Sequence, residues 1–159
     1  MAESPHGLLE RRLKMRPIQD PVLRALINVQ VATAHFVEDF EAVIGAEDLS
    51  LPGFNTLRIL RGQPDGHPRS AIADRLIYRK TDVTRIIDRL ERRGLVRRVR
   101  DKGDRRLSLT RITPKGLEAL GRLDAPVNKL VDQYRALMPA REYAELNRLL
   151  DRLYAHKVE

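Results

Sequence analysis

The chain has 159 residues and a net charge of +8 at pH 7, with 30 Lys and Arg against 22 Asp and Glu. This length accommodates one domain with a substantial core, or a small domain with dimerisation arms. The absence of cysteine excludes disulfides, thiolate metal sites and thiol redox switching, and the scarcity of aromatic residues predicts an aliphatic core. Neither an apolar run of about 18 residues nor a signal peptide is found, so we expect a cytoplasmic protein.

The excess positive charge lies in one block of the chain. Residues 79–115 hold 14 basic and 5 acidic side chains, a net charge of +9, whereas the other 122 residues carry 16 and 17, a net charge of −1. Such a block is typical of a protein that binds a polyanion, most commonly nucleic acid. The alternative is an anionic membrane, which requires a basic amphipathic helix with bulky apolar anchors. Because the apolar residues of the block alternate with turns and strands, we favour nucleic acid.

The first third of the chain is predicted to be an arm followed by a long helix. Residues 1–20 form the arm, which is expected to be poorly ordered or partly helical. Residues 21–44 place apolar side chains at helical spacing, and Gly45 ends the helix. The apolar face of this helix is wider than one small domain covers, which favours a partner helix.

Two short helices separated by a turn are predicted next. Ser50 and Pro52 are typical of a helix start, and Gly62 ends that helix. The Pro- and Gly-rich segment at 62–69 is predicted to be a turn. The segment at 70–77, "SAIADRLI", is predicted to be the second short helix.

The clearest helix in the sequence is "KTDVTRIIDRLERRG" at residues 80–94. Its apolar side chains recur at helical spacing and form one stripe: Val83, Ile86, Ile87 and Leu90. The opposite face carries Thr81, Thr84, Arg85, Asp88 and Arg92, with Arg89 at its edge. Gly94 ends the helix.

A β-hairpin and two further helices complete the predicted order. The segments at 95–100 and 107–112 are predicted strands joined across "DKGD", where Gly103 allows a positive φ. Thr113 is the expected cap of the next helix, and Pro126 should kink or break it. A leucine-rich segment at 139–157 predicts the last helix.

The order of these elements predicts a helix-turn-helix with a wing, in a fold that is mostly α. The elements are a short helix, a turn, a helix with a polar face and a basic hairpin. In such a motif the second helix enters the DNA major groove. Thr81, Thr84 and Arg85 lie at the start of its exposed face and are suitable base readers.

Asp82 is either a helix cap or a reader of cytosine, and capping is the safer interpretation. Asp88 is expected to pair with Arg85 or Arg92.

Three segments resemble the MarR family of winged helix-turn-helix regulators: "DVTRIIDRLERRGLVRR", "DRR" and "ITPKG". The resemblance covers roughly residues 22–155. It implies an obligate homodimer with interleaved terminal helices, bound to a pseudo-palindromic operator. The function predicted on this basis is a ligand-responsive repressor in the cytoplasm, associated with the nucleoid, and the sequence does not decide between repression and activation. Departures from the family are Ile112 before the Thr-Pro pair, Asp82 at a position where a small hydroxyl is common, and a long N-terminal arm. Members that sense peroxide use cysteine, which this chain lacks.

The resemblance also implies roles for individual residues. Arg106 of the wing would enter the minor groove, with Asp104 orienting its guanidinium. Five basic side chains would contact phosphates: Arg97, Arg98, Arg100, Lys102 and Arg105. Lys80 and Arg89 complete the predicted DNA-binding set. The alternative for each strand residue is a solvated strand face.

Many members of the family bind a small aromatic acid between the dimer helices and the winged domain. The corresponding candidates here are His35, Phe36 and Arg58. The alternatives are a partly exposed helix residue for His35 and a core residue for Phe36. The sequence does not identify a ligand.

Four segments follow from these predictions: an arm at 1–20, a dimerisation helix at 21–46, a winged helix-turn-helix at 47–113 and C-terminal dimerisation helices at 114–159. A non-specific architectural DNA-binding protein is the alternative function. Enzyme activity is disfavoured because the few His residues near acidic ones supply too few ligands for a metal site, even where the spacing of His35 with Glu38 and Asp39 suits one helix face. No phosphate loop or nucleophile motif occurs. No cofactor, metal or membrane partner is predicted.

Overall fold

The computed structural model describes residues 7–77, 82–100 and 108–158, which form seven α-helices and three strands. The chain divides into two compact units, Met1–Asp39 and Phe40–Glu159. In the part of the chain that the structure describes, no helix is long and apolar enough to span a bilayer. The mostly helical fold with a small antiparallel sheet confirms the predicted fold class.

The secondary structure follows the predicted order, with one additional strand. The elements are α1 (Leu8–Leu13), α2 (Pro21–Ile44), α3 (Leu51–Arg61), β1 (His67–Pro68), α4 (Arg69–Arg75), α5 (Val83–Arg92), β2 (Val96–Arg100), β3 (Ser108–Ile112), α6 (Pro114–Arg135) and α7 (Ala140–Tyr154). A 3-10 turn, Gly45–Glu47, follows α2 and leads into α3. Helix α2 therefore has the predicted bounds.

The first unit is built on α1 and most of α2. Leu9 of α1 is buried, and the adjacent Glu10 carboxylate accepts a hydrogen bond from Arg24 Nε at 2.9 Å. This hydrogen bond lowers the pKa of Glu10 below its ordinary value. The N-terminal arm is thus partly helical, as predicted, and an ion pair ties it to α2.

Aliphatic side chains fill the core of the second unit, as predicted. The largest of those that are 1 % exposed or less are Ile44, Leu57, Leu60, Ile72, Ile87, Val96, Leu120 and Leu123. Phe40 and Phe54 add one edge-to-face contact, with ring centroids 5.3 Å apart. Each fully buried leucine or isoleucine contributes about 1.5–3 kcal/mol to folding, so this core holds α3 to α6 in fixed positions.

The sheet has three antiparallel strands in the order β1-β3-β2. Strands β2 and β3 form the predicted hairpin, in which Val96 lies opposite Ile112. Strand β1 lies in the segment predicted as a turn, yet His67 pairs with Thr110 of β3. Gly66, with φ +88°, permits this pairing, because a Cβ atom there would lie 2.7 Å from the Thr110 carbonyl oxygen. A two-residue strand containing a proline leaves no periodic pattern in the sequence.

Helix α6 starts as predicted but continues through Pro126. Thr113 caps it by accepting a hydrogen bond from a main-chain N–H at 3.1 Å. Pro126 cannot donate to the carbonyl of Arg122, yet both residues are exposed, so water can bond that carbonyl. Of the kink or break predicted at Pro126, the break was wrong, because Leu123 and Leu130, buried on the other face, hold the helix on both sides of the proline. The kink stays a prediction.

Candidate nucleic-acid interface

Helix α5 presents a buried apolar face and an exposed basic face. Asp82 caps its start by accepting a hydrogen bond from the main-chain N–H of Arg85 at 3.1 Å, which confirms the capping interpretation. Val83, Ile87 and Leu90 are 6 %, 1 % and 2 % exposed and fix the helix on the core. Its opposite face is therefore turned outward, as the periodicity predicted.

Arg85 lies on this outward face, in the first turn of α5. Its side chain is exposed and has no hydrogen bond or ion pair to any of the described residues. A guanidinium with free N–H groups can make the paired hydrogen bonds that guanine accepts in the major groove. Of the described residues predicted to read bases, Arg85 is the one with an uncommitted cation.

Thr84, the second predicted reader, contacts a residue that the sequence analysis missed. Arg69 Nη1, at the start of α4, donates a hydrogen bond to Thr84 Oγ1 at 2.9 Å. Arg69 is exposed and falls at the end of the segment predicted as a turn. Only its basic character could have drawn attention to it.

The carboxylate of Asp88 pairs with Arg98 of β2, so the predicted pairing with Arg85 or Arg92 was wrong. The backbone turns back at Gly94, with φ +71°, and β2 then runs beside α5. The side chain of Arg98 consequently contacts both Asp88 and Glu91. The hydrogen bond to Asp88 raises the pKa of Arg98 above its ordinary value.

Arg98 is therefore committed to two carboxylates. It was predicted to contact phosphate, yet its main-chain N–H also donates to Glu91 Oε1 at 2.9 Å. These contacts fasten the first strand of the hairpin to α5. A phosphate would have to compete with both carboxylates for this guanidinium.

Arg89 and Arg93 point toward the 3-10 turn before α3. Arg89 Nη2 donates to Asp48 Oδ1 at 2.9 Å. Arg93 donates to the main-chain oxygens of Asp48 at 2.6 Å and Glu47 at 2.7 Å. These contacts hold the C-terminal half of α5 against the turn, which gives Arg89, a predicted DNA contact, a structural partner.

Glu47 extends this network to α6. Its carboxylate accepts two hydrogen bonds from Arg122, at 2.6 and 2.9 Å, and its side chain is only 17 % exposed. The hydrogen bonds from Arg122 lower the pKa of Glu47 below its ordinary value. One turn of the chain thus connects α5 with α6 through side-chain and main-chain contacts.

Arg97 and Arg100 lie exposed on β2. Neither side chain has a hydrogen bond or ion pair with another described residue. Arg97 faces Arg111 across the hairpin, and Arg111 bonds the main-chain oxygen of Asp65 at 2.7 Å. Two cations of the strand are therefore left available to a polyanion.

Six of the predicted DNA-binding or wing-orienting residues lie outside the described residues, as does Gly103. The six are Lys80, Thr81, Lys102, Asp104, Arg105 and Arg106. Their roles stay predictions.

Two of the three ligand candidates lie in the first unit and the third lies in the second unit. In the first unit, His35 Nε2 accepts a hydrogen bond from Arg12 Nε at 3.3 Å, and the side chain of Phe36 is 40 % exposed. In the second unit, the Arg58 guanidinium lies 5.9 Å from the ring centroid of Phe54. Their role in ligand binding stays a prediction. Among the described residues, no three His, Asp or Glu side chains are grouped so that they could hold a metal ion.

The model of the MarR family matches residues 49–108, which include α3, α4, α5 and β2. A protein from Thauera aromatica, assigned as a transcriptional regulatory protein for the hcr operon, is 29% identical over 109 residues. That alignment covers 68% of this chain and 65% of the relative. The chain therefore spans about two thirds of the length of this relative.

Two solved structures extend the similarity over most of the chain. The crystal structure of a MarR transcription factor from Planctomyces limnophilus is 32% identical, with a TM-score of 0.64, and the alignment covers 85% of this chain and 98% of that one. The organohalide-sensing regulator RdhR, solved with bound 2,4-dichlorophenol, is 18% identical with a TM-score of 0.77. Its alignment covers 89% of this chain and 86% of RdhR, and shows a shared fold.

Proposed function

The chain belongs to the MarR family of transcriptional regulators, and we propose that it is a ligand-responsive repressor that reads a pseudo-palindromic operator as a homodimer. The observation that carries the proposal is the position of Arg85. Arg85 lies in the first turn of α5, on the exposed face of a helix whose other face is buried, and its guanidinium has no polar partner among the described residues. A helix fits the major groove, and an arginine there specifies guanine through two hydrogen bonds.

The basic hairpin would position the protein on the duplex. Arg97 and Arg100 are exposed cations on β2, suited to phosphate oxygens, which give affinity without sequence information. We propose that Arg106 enters the minor groove with Asp104 as its orienting carboxylate, in the manner that the family resemblance implies. Lys80, Lys102 and Arg105 would add phosphate contacts. A protein with this function would act at the nucleoid, in the cytoplasm.

Exposed apolar side chains on the terminal helices support the homodimer. On α7 the exposed residues recur at helical spacing: Leu146, Leu149, Leu153 and Tyr154. On α2 they are Val22, Leu23 and Leu26. Such stripes are costly in water, and a second copy would cover them. Light scattering tests this directly, since a monomeric mass at micromolar concentration would refute the dimer.

For the effector we propose a small aromatic acid that contacts His35, Phe36 or Arg58. A groove of about 330 Å³ in the first unit is lined by apolar side chains together with Arg12, Asn28 and His35, and the cation of Arg12 suits a carboxylate. RdhR binds a chlorinated phenol. An effector would act by favouring a dimer arrangement with lower operator affinity. Benzoate should then release the operator from the wild type and release it less from His35→Ala.

The function as a whole is tested by selecting bound duplexes from a random-sequence pool. A sequence-specific dimer enriches a motif with two related half-sites about one helical turn apart. A non-specific architectural protein, the alternative function, binds through the same arginines but enriches no motif. Repeating the selection with benzoate present tests the effector.

A further inference from the structure

The hydrogen bond between Arg69 and Thr84 joins two helices at the candidate reading face. Arg69 is the first residue of α4, and Thr84 lies in the first turn of α5. The donor is Nη1 of Arg69, and the acceptor is Oγ1 of Thr84, 2.9 Å away. The contact is therefore made where α5 would meet base edges.

Both residues of this pair are held by well-fixed backbone. Pro68, which precedes Arg69, pairs with Leu109 in the sheet, and Ile72 one turn later is completely buried. On the other side, Val83 is 6 % exposed. The chain therefore loses little backbone freedom when the hydrogen bond forms, and the two side chains start from a defined separation.

The hydrogen bond between Arg69 and Thr84 has one possible direction. A guanidinium carries N–H donors and no acceptor, so the Thr84 oxygen must be the acceptor. A threonine hydroxyl by itself can either donate to a base or accept from one, and so distinguishes bases poorly. Once one of the two lone pairs of this oxygen accepts from the Arg69 cation, the oxygen is a weaker acceptor for a second partner and the hydroxyl proton is a stronger donor.

We propose that Arg69 is a positioning residue for sequence specificity, because its hydrogen bond to Thr84 Oγ1 biases the Thr84 hydroxyl toward donating to a base. At the base pair that Thr84 reads, the protein then prefers an acceptor edge, the N7 or O6 of guanine, the N7 of adenine or the O4 of thymine. It disfavours an edge that offers the N4 amino group of cytosine. The inference rests on the proposed function, in which α5 enters the major groove.

The test compares variants that lose the same charge from the same helix. Arg69→Met removes the donor to Thr84, whereas Arg75→Met removes a guanidinium that bonds the main-chain oxygen of Ala71 within α4. Thr84→Val removes the hydroxyl and keeps the shape. The base pair read by Thr84 is the one at which Thr84→Val changes the preference found by selection. Four duplexes that differ only at this base pair are then titrated with each variant.

The expected result is a change of preference at one base pair. Arg69→Met should reduce the discrimination there roughly fivefold, the worth of one hydrogen bond, and Arg75→Met should leave it unchanged. In a Thr84→Val background, Arg69→Met should have no further effect on preference, because the two residues act as one unit. Arg69→Lys, which again offers only donors, should restore part of the preference. Thermal unfolding of each variant confirms that it is folded.

Three results would overturn the inference while leaving the proposed function intact. The first is an equal loss of affinity for all four duplexes in Arg69→Met, which would make Arg69 a phosphate contact. The second is an effect of Arg69→Met that persists in full in the Thr84→Val background. The third is a Thr84→Val protein with unchanged preferences at every position. If instead the wild type selects no motif, the proposed function itself fails.

Discussion

Two sets of arginines in and beside α5 carry the same charge but have different surroundings. Arg85, Arg97 and Arg100 are exposed and have no polar partner among the described residues. Arg89, Arg93 and Arg98 are held by carboxylates and main-chain oxygens of neighbouring elements. The first set is available to a polyanion, whereas the second set fixes α5 to the turn before α3 and to β2.

This difference shows that the net charge of residues 79–115 is larger than the positive charge that these residues can offer to DNA phosphates. Affinity for DNA grows with the number of phosphates that cations neutralise. A guanidinium already paired with a carboxylate brings no net charge to a phosphate, because its partner stays beside it. Part of the block therefore works inside the protein, and the two sets should respond differently to mutation.

The largest effect is expected at Arg85. Arg85→Lys keeps the charge but loses the two parallel N–H groups that guanine accepts, so binding to the selected operator should weaken by about 1–3 kcal/mol. Binding to a duplex of shuffled sequence should not change. The control is Arg89→Lys, whose ammonium can still pair with Asp48, and fluorescence titration measures both. A larger loss for Arg89→Lys would reverse the assignment of the two sets.

Arg93 should matter for stability instead of for base reading. Arg93→Ala removes two hydrogen bonds from a charged donor to main-chain oxygens, so the free energy of unfolding should fall by about 1–2 kcal/mol. Arg92→Ala is the control, since Arg92 is exposed and bonds only the main-chain oxygen of Asp88 in its own helix, at 3.4 Å, among the described residues. Urea unfolding measures the difference. Equal stability of the two variants would contradict the structural role of Arg93.

Neighbouring arginines of β2 sharpen the comparison. Arg97→Ala should lower the affinity for all sequences and reduce the slope of log K against log salt by about one unit. Arg98→Ala should change the slope less, because Arg98 is already neutralised by Asp88 and Glu91. Titrations at several salt concentrations give both slopes. Equal changes would mean that Arg98 leaves its carboxylates when DNA binds.

The smallest effect is expected from the pH dependence of Glu47. The hydrogen bonds from Arg122 lower the pKa of Glu47 in the folded state. The stabilisation by this ion pair is therefore complete above the unfolded pKa of about 4.3, and it is lost as the pH falls through the lower folded value. Glu47→Gln should therefore be less stable than the wild type at neutral pH, and the difference should shrink in acid. Urea unfolding between about pH 3 and pH 7 covers this range. A constant difference would contradict the ion pair.

Local patterns were sufficient to predict most elements and their ends. The apolar stripe of α5 and the caps Asp82 and Thr113 depend on residues within one or two helical turns of each other, so the sequence displays them directly. The same holds for the β2–β3 hairpin. Arg85 was predicted correctly as an exposed residue because it lies opposite the stripe.

Contacts between elements distant in sequence could not be predicted in this way. Asp88 lies near two arginines of its own helix, yet it pairs with Arg98, because the path of the chain after Gly94 decides which cation is closest. The contacts of Asp48 with α5 and of Arg69 with Thr84 have the same origin. Which arginines are free is a property of the packed structure and is not visible in the charge pattern.

The specificity ratio of the Arg85→Ala protein tests the central claim most directly. The ratio compares the affinity for the selected operator with the affinity for a shuffled duplex of the same length and composition, at one salt concentration. We predict that Arg85→Ala lowers this ratio by about tenfold or more, with little change in binding to the shuffled duplex. A ratio equal to that of the wild type, with both affinities reduced alike, would contradict the claim that this face of α5 reads sequence.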